Sequence, residues 1–185
     1  MKYRTILIDP PWQLKLTGLY QTRKFRPAKL VYPTMSLEEI KVLPISELAD
    51  IGCHLWLWTT NQTLPLGFEL IKHWDFKYHA PIHWKKPSGC GNYFIHLTQT
   101  LLFAYKEKCQ FNKARYKPNF IETSIPKRHS EKPQEIYEYI EAISDEPRLE
   151  LFARKKRQNW SSWGNEVESD INLTQRDEDL EKEQK

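Results

Sequence analysis

Thr5-Ile6-Leu7-Ile8-Asp9-Pro10-Pro11-Trp12 is a short apolar run that stops on an acid and two prolines. A continuous apolar stretch of this length suits a strand buried on both faces of a parallel sheet. The prolines end it, because neither can donate to a strand ladder. Working outward, His54-Leu-Trp-Leu-Trp-Thr59 reads as a second buried strand, and residues 80–85, 100–105 and 148–153 read as further ones, the last closing the sheet. Between them, Ser36-Leu37-Glu38-Glu39 forms a capping box ahead of Leu37, Ile40 and Leu43 at helical spacing. Leu66, Leu70, Ile71 and Trp74 give a second helical stripe, and Pro133 opens a third helix whose Ile136, Ile140 and Ile143 share a face. Strands alternating with helices predict an α/β fold with an open, mostly parallel, Rossmann-like sheet, whose ligands collect beyond the carboxyl ends of the strands. Asp9 and Arg154 both fall at such ends.

The chain has 185 residues, 39% of them apolar, enough for one core. We expect a single domain over residues 1–166 and an acidic, solvated tail over 167–185. Residues 166–185 hold eight acids against three bases, so the formal charge of +4 becomes +9 on residues 1–165. A basic body attracts a polyanion, through the sequence-independent part of nucleic-acid binding. Residues 13–31 and 106–131 are basic and without sustained periodicity, and read as loops. Ile6 to Ile8 is too short an apolar run for a signal sequence or a membrane span. Cys53, Cys90 and Cys109 lie far apart, without metal-ligand spacing, and fit reduced thiols in the cytoplasm. No metal is expected, and there is neither a P-loop nor a G-x-G-x-x-G.

The Asp9 carboxylate and the Pro10 carbonyl are adjacent acceptors, able to take both N–H groups of an exocyclic amine from one side. An adenine amine is a poor nucleophile, its lone pair being delocalised into the ring. Two acceptors pull it toward tetrahedral geometry and aim the lone pair at an electrophilic methyl. Proline fixes φ and carries no N–H of its own. Trp12 offers a flat face for a base drawn out of its stack, so Asp9, Pro10, Pro11 and Trp12 are the catalytic candidates. Substitution of Asp9 or Trp12 by alanine is expected to abolish such chemistry and spare the fold.

Several further stretches accompany the tetrapeptide in order: Tyr32-Pro33-Thr34-Met35-Ser36, Leu55-Trp56-Leu57-Trp58-Thr59-Thr60-Asn61, Trp84-Lys85-Lys86-Pro87, His129-Ser130-Glu131-Lys132-Pro133, Glu150-Leu151-Phe152-Ala153-Arg154, Asn159-Trp160 and Gly164-Asn165. Together they resemble the DPPW-type adenine-N6 methyltransferases over nearly all of residues 3–166. That family includes the catalytic subunit of the messenger-RNA adenosine methyltransferase and many compact bacterial and phage enzymes. The resemblance implies S-adenosylmethionine as cofactor and a permuted order, with the catalytic motif first and the cofactor motif late. It implies cofactor contacts from Asp9, Lys132, Glu150, Phe152, Arg154, Asn165 and Glu166, with Glu150 accepting from the ribose. Substrate contacts are implied for Trp12, Tyr32, Asn61 and Lys86. Each has a plainer reading: Lys132 as a solvated lysine at a helix start, Glu150 in an ion pair with Arg148, Asn165 as a turn residue, Tyr32 packed on Pro33, Asn61 capping the next helix. Trp56 and Trp58 read as core, His129 as a solvated loop residue and Cys90 as an inert thiol.

The chain departs from the family in three places. Glu166 stands where glutamine is frequent, Lys155-Lys156-Arg157 lies in a shortened loop, and Thr100 replaces an acid common before that strand. Larger relatives also carry a segment ahead of the tetrapeptide that helps hold the cofactor's adenine, so that pocket is expected to be built differently or to be more open. The expected substrate is nucleic acid, DNA ahead of RNA. Adenine in RNA, the amine of cytosine, and a non-catalytic nucleic-acid-binding or partner subunit are the alternatives. A homodimer is compatible with the sequence, and no membrane partner is expected.

Overall fold

The computed structural model describes residues 1–13, 33–90, 93–109, 111, 117–123 and 132–173. Among them, seven strands form one sheet: β1 (Tyr3–Ile8), β2 (Ala49–Thr59), β3 (Lys77–Cys90), β4 (His96–Tyr105), β5 (Phe120–Glu122), β6 (Arg148–Leu151) and β7 (Trp160–Trp163), in the spatial order β5-β3-β4-β2-β1-β6-β7. The pairs β1–β2, β1–β6, β6–β7 and β3–β5 are parallel, whereas β4 runs antiparallel to both β2 and β3. The helices are α1 (Leu37–Lys41), α2 (Ile45–Leu48), α3 (Leu64–His73) and α4 (Gln134–Ile143). The fold is thus the mixed α/β, mostly parallel sheet that the alternating pattern predicts.

Period-2 alternation sorts the sheet's side chains between two cores. Ile6, Ile8, Leu55, Leu57, Leu102, Ala104, Leu149 and Leu151 join Ile40, Ile45, Leu70 and Ile71 of α1, α2 and α3. Leu7, Trp56, Trp58, Leu101 and Phe103 point the other way, toward Ile136, Tyr137, Ile140 and Ile143 of α4. A sheet covered on both faces has no polar side, which is why its strands read as unbroken apolar runs. The route from β1 to β2 passes over one face and the route from β5 through α4 to β6 passes over the other. The chain passes from β1 to β2 on one side and from β6 to β7 on the other, so the switch point lies between β1 and β6, where the Ile8–Leu151 pairing ends.

Local chemistry sets the helix ends. Ser36 and Glu39 form the expected capping box, with Ser36 N–H donating to Glu39 Oε2 at 2.7 Å. Pro133 is the N-cap of α4, one place earlier than expected. Several sequence expectations need correction. The stretch 148–153 is not the last strand, since β7 follows it. The region 106–131 contains β5. The tail is not free from residue 167: Ile171 and Leu173 pack on the core, and Ser162 N–H donates to Asp170 Oδ2 at 2.8 Å. Two apolar residues and one acid with a backbone donor suffice to hold that segment. Residues 14–31 of the first expected loop, Tyr32, His129 and the tail from 174 lie outside the described residues. None of the described helices is long and apolar enough to cross a membrane.

Gly164 follows β7 where the chain lies against the turn after β6. A Cβ there would sit 2.3 Å from the Ala153 carbonyl oxygen and 2.8 Å from its nitrogen, both backbone atoms that cannot swing aside. Gly164→Ala is expected to destabilise the protein by about 1–3 kcal/mol; urea unfolding measures this, and an unchanged midpoint would refute the close approach.

Candidate active site

Parity places the site. Leu7 faces α4, so Asp9, two residues on, emerges on the same face just past the end of β1. Trp58 is level with it on β2, since Ile8 pairs with Leu57. Lys132, which enters α4 from that side, meets both. Its Nζ lies 2.5 Å from Asp9 Oδ2 and 5.0 Å from the centre of the Trp58 ring. The Lys132 side chain is 12% exposed and that of Asp9 32%. An ammonium held between a carboxylate and an indole face is fixed by charge and by the ring quadrupole together. The sequence did not reveal Trp58 as its partner. Parity with Asp9 was the available signal.

The tetrapeptide is pinned by the backbone. Trp12 N–H donates to the Pro10 carbonyl at 2.8 Å, Met35 N–H to the Pro11 carbonyl at 2.8 Å, and Gln13 N–H to the Met35 carbonyl at 3.1 Å. The Pro10 carbonyl, with two lone pairs, keeps one for another donor. Trp12 requires a correction. Its side chain is 8% exposed, belongs to the core on the α1–α3 face, and donates from Nε1 to the Trp58 carbonyl at 3.1 Å. A ring committed in this way offers no free face for stacking and instead anchors the turn that carries Asp9. Removing a buried tryptophan costs about 3–5 kcal/mol, so Trp12→Ala cannot leave the fold untouched.

Glu150 is also corrected. It lies within β6, pairs in register with Leu7, and is buried. Its Oε1 accepts from Tyr137 Oη at 2.7 Å, and Arg157 Nε approaches its Oε2 at 3.9 Å, while Arg148 binds Glu146 instead. Arg157 is further held over the Tyr137 ring at 3.2 Å and donates to Gln134 Oε1 at 2.5 Å. Glu150 is therefore a buried member of a network beneath the site, its Oε2 without a hydrogen-bond partner among the described residues, and not a surface pair with Arg148. Arg157 and Tyr137 were missed as its partners because they come from a loop and a helix that only the assembled fold brings against β6.

The remaining candidates spread along the same carboxyl edge. Past β6, Phe152 takes φ 62°, a left-handed conformation rare outside glycine, and its ring meets Trp163 edge-on at 5.3 Å. Arg154 is exposed, with Nε 3.7 Å from Glu166 Oε1, and Asn165 is exposed beside it. Asn61 does not cap α3: the N-cap is Thr63, and Asn61 Nδ2 lies 2.6 Å from His96 Nδ1. Lys86 is half-buried on β3. The sheet order thus puts Asn61 and Lys86 on one side of Asp9, and Phe152, Arg154, Asn165 and Glu166 on the other. Thr100 is buried and accepts from Thr59 Oγ1 through its carbonyl at 3.0 Å. No group of three or more metal-ligating side chains occurs among the described residues.

Burial raises the Glu150 carboxyl above its ordinary value of 4.5, against the opposing Tyr137 hydrogen bond and Arg157 charge; Asp9 adds to the rise and Lys132 opposes it. The folded protein then binds this proton more tightly than the unfolded chain, so stability falls as pH climbs from 4.5 through the raised value. Unfolding free energies of the wild type and Glu150→Gln, compared by urea titration from pH 4 to 8, are expected to move against the wild type across that window. A pH-independent difference would contradict the burial of a titrating carboxyl.

The MT-A70 family profile matches residues 3–166. The chain is 27% identical to the Type II methyltransferase M.MunI of Mycoplasma sp, over 90% of this chain and 78% of that protein. It is 32% identical to human N(6)-adenine-specific methyltransferase METTL4, covering 89% of this chain, and 27% identical to the human N(6)-adenosine-methyltransferase catalytic subunit METTL3, covering 90%. It spans only 37% and 28% of the lengths of those two human proteins. With a profile match over most of its length, the chain belongs to the MT-A70 family of adenine-N6 methyltransferases, which use S-adenosylmethionine.

Proposed function

We propose that this protein transfers a methyl group from S-adenosylmethionine to the N6 amine of adenine in DNA. The observation that carries the reading is the position of Asp9, at the switch point of the sheet with its Oδ2 held by Lys132. The groups at this edge fit the cofactor chemically. Lys132 and Arg154 can meet its carboxylate, Asp9 its ammonium, and Asn165 and Glu166 its ribose hydroxyls. When bound, it supplies a methyl carbon made electrophilic by a positive sulfur.

The protein's own groups do the rest. With Oδ2 occupied by Lys132, Asp9 Oδ1 accepts one N–H of the target amine, and the free lone pair of the Pro10 carbonyl accepts the other. Those two bonds turn the nitrogen lone pair toward the methyl. Lys132 holds the Asp9 carboxylate still, so little reorganisation is needed as the carbon–nitrogen bond forms and positive charge builds on the amine. One N–H proton then leaves the nitrogen by way of the carboxylate. Trp12 acts through the turn it anchors. Asp9 just after the first strand and Arg154 after the sixth support a permuted arrangement.

DNA is favoured over RNA by the match over 78% of the length of a compact methyltransferase; the +9 charge on residues 1–165 supports a polyanion of either kind. The test is to incubate the protein with S-adenosylmethionine and matched DNA or RNA oligonucleotides, digest, and identify methylated nucleosides by mass spectrometry. N6-methyldeoxyadenosine is expected. Methyl only in RNA, or on cytosine, would overturn the substrate assignment, and none on either would overturn the activity. The transfer rate at low substrate is expected to fall steeply with added salt; a flat response would contradict phosphate-led docking.

A further inference from the structure

The antiparallel strands β3 and β4 run past the site. Thr100 of β4 pairs with Thr59 of β2, level with Pro10, yet β4 begins at His96, and β3 continues from Lys85, paired with Thr98, to Cys90. This hairpin projects from the same edge of the sheet that carries Asp9. Phe94 lies six positions before Thr100, which at strand rise puts it at most about 20 Å beyond the edge. Its far end is apolar and unprotected: Tyr93 is 96% exposed, Phe94 78% and Ile95 68%. Exposed aromatics in sequence are an unusual surface for a protein to present to water.

Charge identifies the occupant. Residues 76–106 contain no Asp or Glu, against four lysines and three histidines. Lys85 is balanced across the sheet by Glu122 of β5 at 2.5 Å, while Lys86 has no ion pair among the described residues. Aromatic side chains interleaved with cations, and free of acids, match bases flanked by phosphates. A protein partner or a second copy of this chain would need only the apolar part. Resting on the methyl-transfer reading, we infer that the β3–β4 hairpin is a nucleic-acid-gripping arm. Tyr93 and Phe94 stack on bases flanking the target adenine, and Lys86 meets a backbone phosphate. At about 3.4 Å per base step along a strand, the arm's tip reaches at most about six steps from the target, so it grips flanking sequence and leaves the reacting base to Asp9.

The experiment is fluorescence anisotropy with labelled oligonucleotides, together with steady-state transfer kinetics, on the full chain. Tyr93→Ala/Phe94→Ala is expected to weaken binding of an oligonucleotide of about 20 nucleotides by tenfold or more, and to raise its KM. S-adenosylmethionine affinity and kcat should stay unchanged. An oligonucleotide with only two nucleotides on each side of the adenine should not distinguish the variant from wild type. Tyr93→Leu/Phe94→Leu, which keeps the apolar surface, should behave like the alanine pair, and Tyr93→Trp/Phe94→Trp should restore binding. Lys86→Ala should lower the salt slope of binding by about one. Wild-type affinity for the long oligonucleotide in the alanine pair, full function in the leucine pair, or an equal loss on the short oligonucleotide would each overturn the arm. So would loss of self-association in sedimentation with oligonucleotide affinity intact, which assigns the patch to a second copy. If the wild type methylates DNA while the variants bind normally, only the arm falls. If the wild type neither binds nor methylates nucleic acid, the functional reading falls with it.

Discussion

A single ion contact, Lys132 Nζ to Asp9 Oδ2, ties the two ends of the functional sequence together across 123 positions. It can form because β1 ends at Ile8, which puts Asp9 at the switch point, and because α4 starts on the face of the sheet to which Leu7 points. Drawing two charges partly out of water is costly, and attraction offsets that only when the geometry is good. Here the Trp58 ring lies under the ammonium and the network of Glu150, Tyr137 and Arg157 lies beneath. The acid is held where a ligand can still reach it, since Asp9 keeps about a third of its side-chain exposure.

The division of the carboxyl edge follows from the sheet order. Strands β6 and β7 lie on one side of Asp9, with the turn at Phe152, the Arg154–Glu166 pair and Asn165. Strands β2, β4 and β3 lie on the other, with Asn61, Lys86 and the projecting hairpin. A reaction joining two large molecules, one giving a methyl and one accepting it, needs two flanks that meet at one point. This order provides two flanks within one sheet, and the acid-free β3–β4 hairpin extends one of them.

Much of the fold was legible from residues alone. The apolar run at 5–8 and the Asp-Pro-Pro stop marked β1 and the place of Asp9, and Pro133 with its isoleucines marked α4, whereas Lys132 was singled out only by the family resemblance. What escaped has physical causes. β5 and β7 are three and four residues long, too short for periodicity to register. The extension of β3 to Cys90 was masked by Pro87 and Gly89, which usually end strands. Trp12 read as a stacking platform because its burial depends on a carbonyl 46 positions away, and Glu150 read as a ribose acceptor because its partners come from α4 and the loop after β6. Burial of a polar group is a property of the assembled fold, and local sequence carries little of it.

The most direct measurement is radiolabelled methyl transfer to adenine-containing DNA by Asp9→Asn, with cofactor binding by calorimetry and urea unfolding on the same preparation. Asparagine keeps the shape, loses the charge and presents donors where an acceptor is needed. A folded variant that has lost transfer by roughly 10²–10³-fold or more is the expected result. Transfer at the wild-type rate would show that the carboxylate does not hold the amine, and the role given to Asp9 would be wrong.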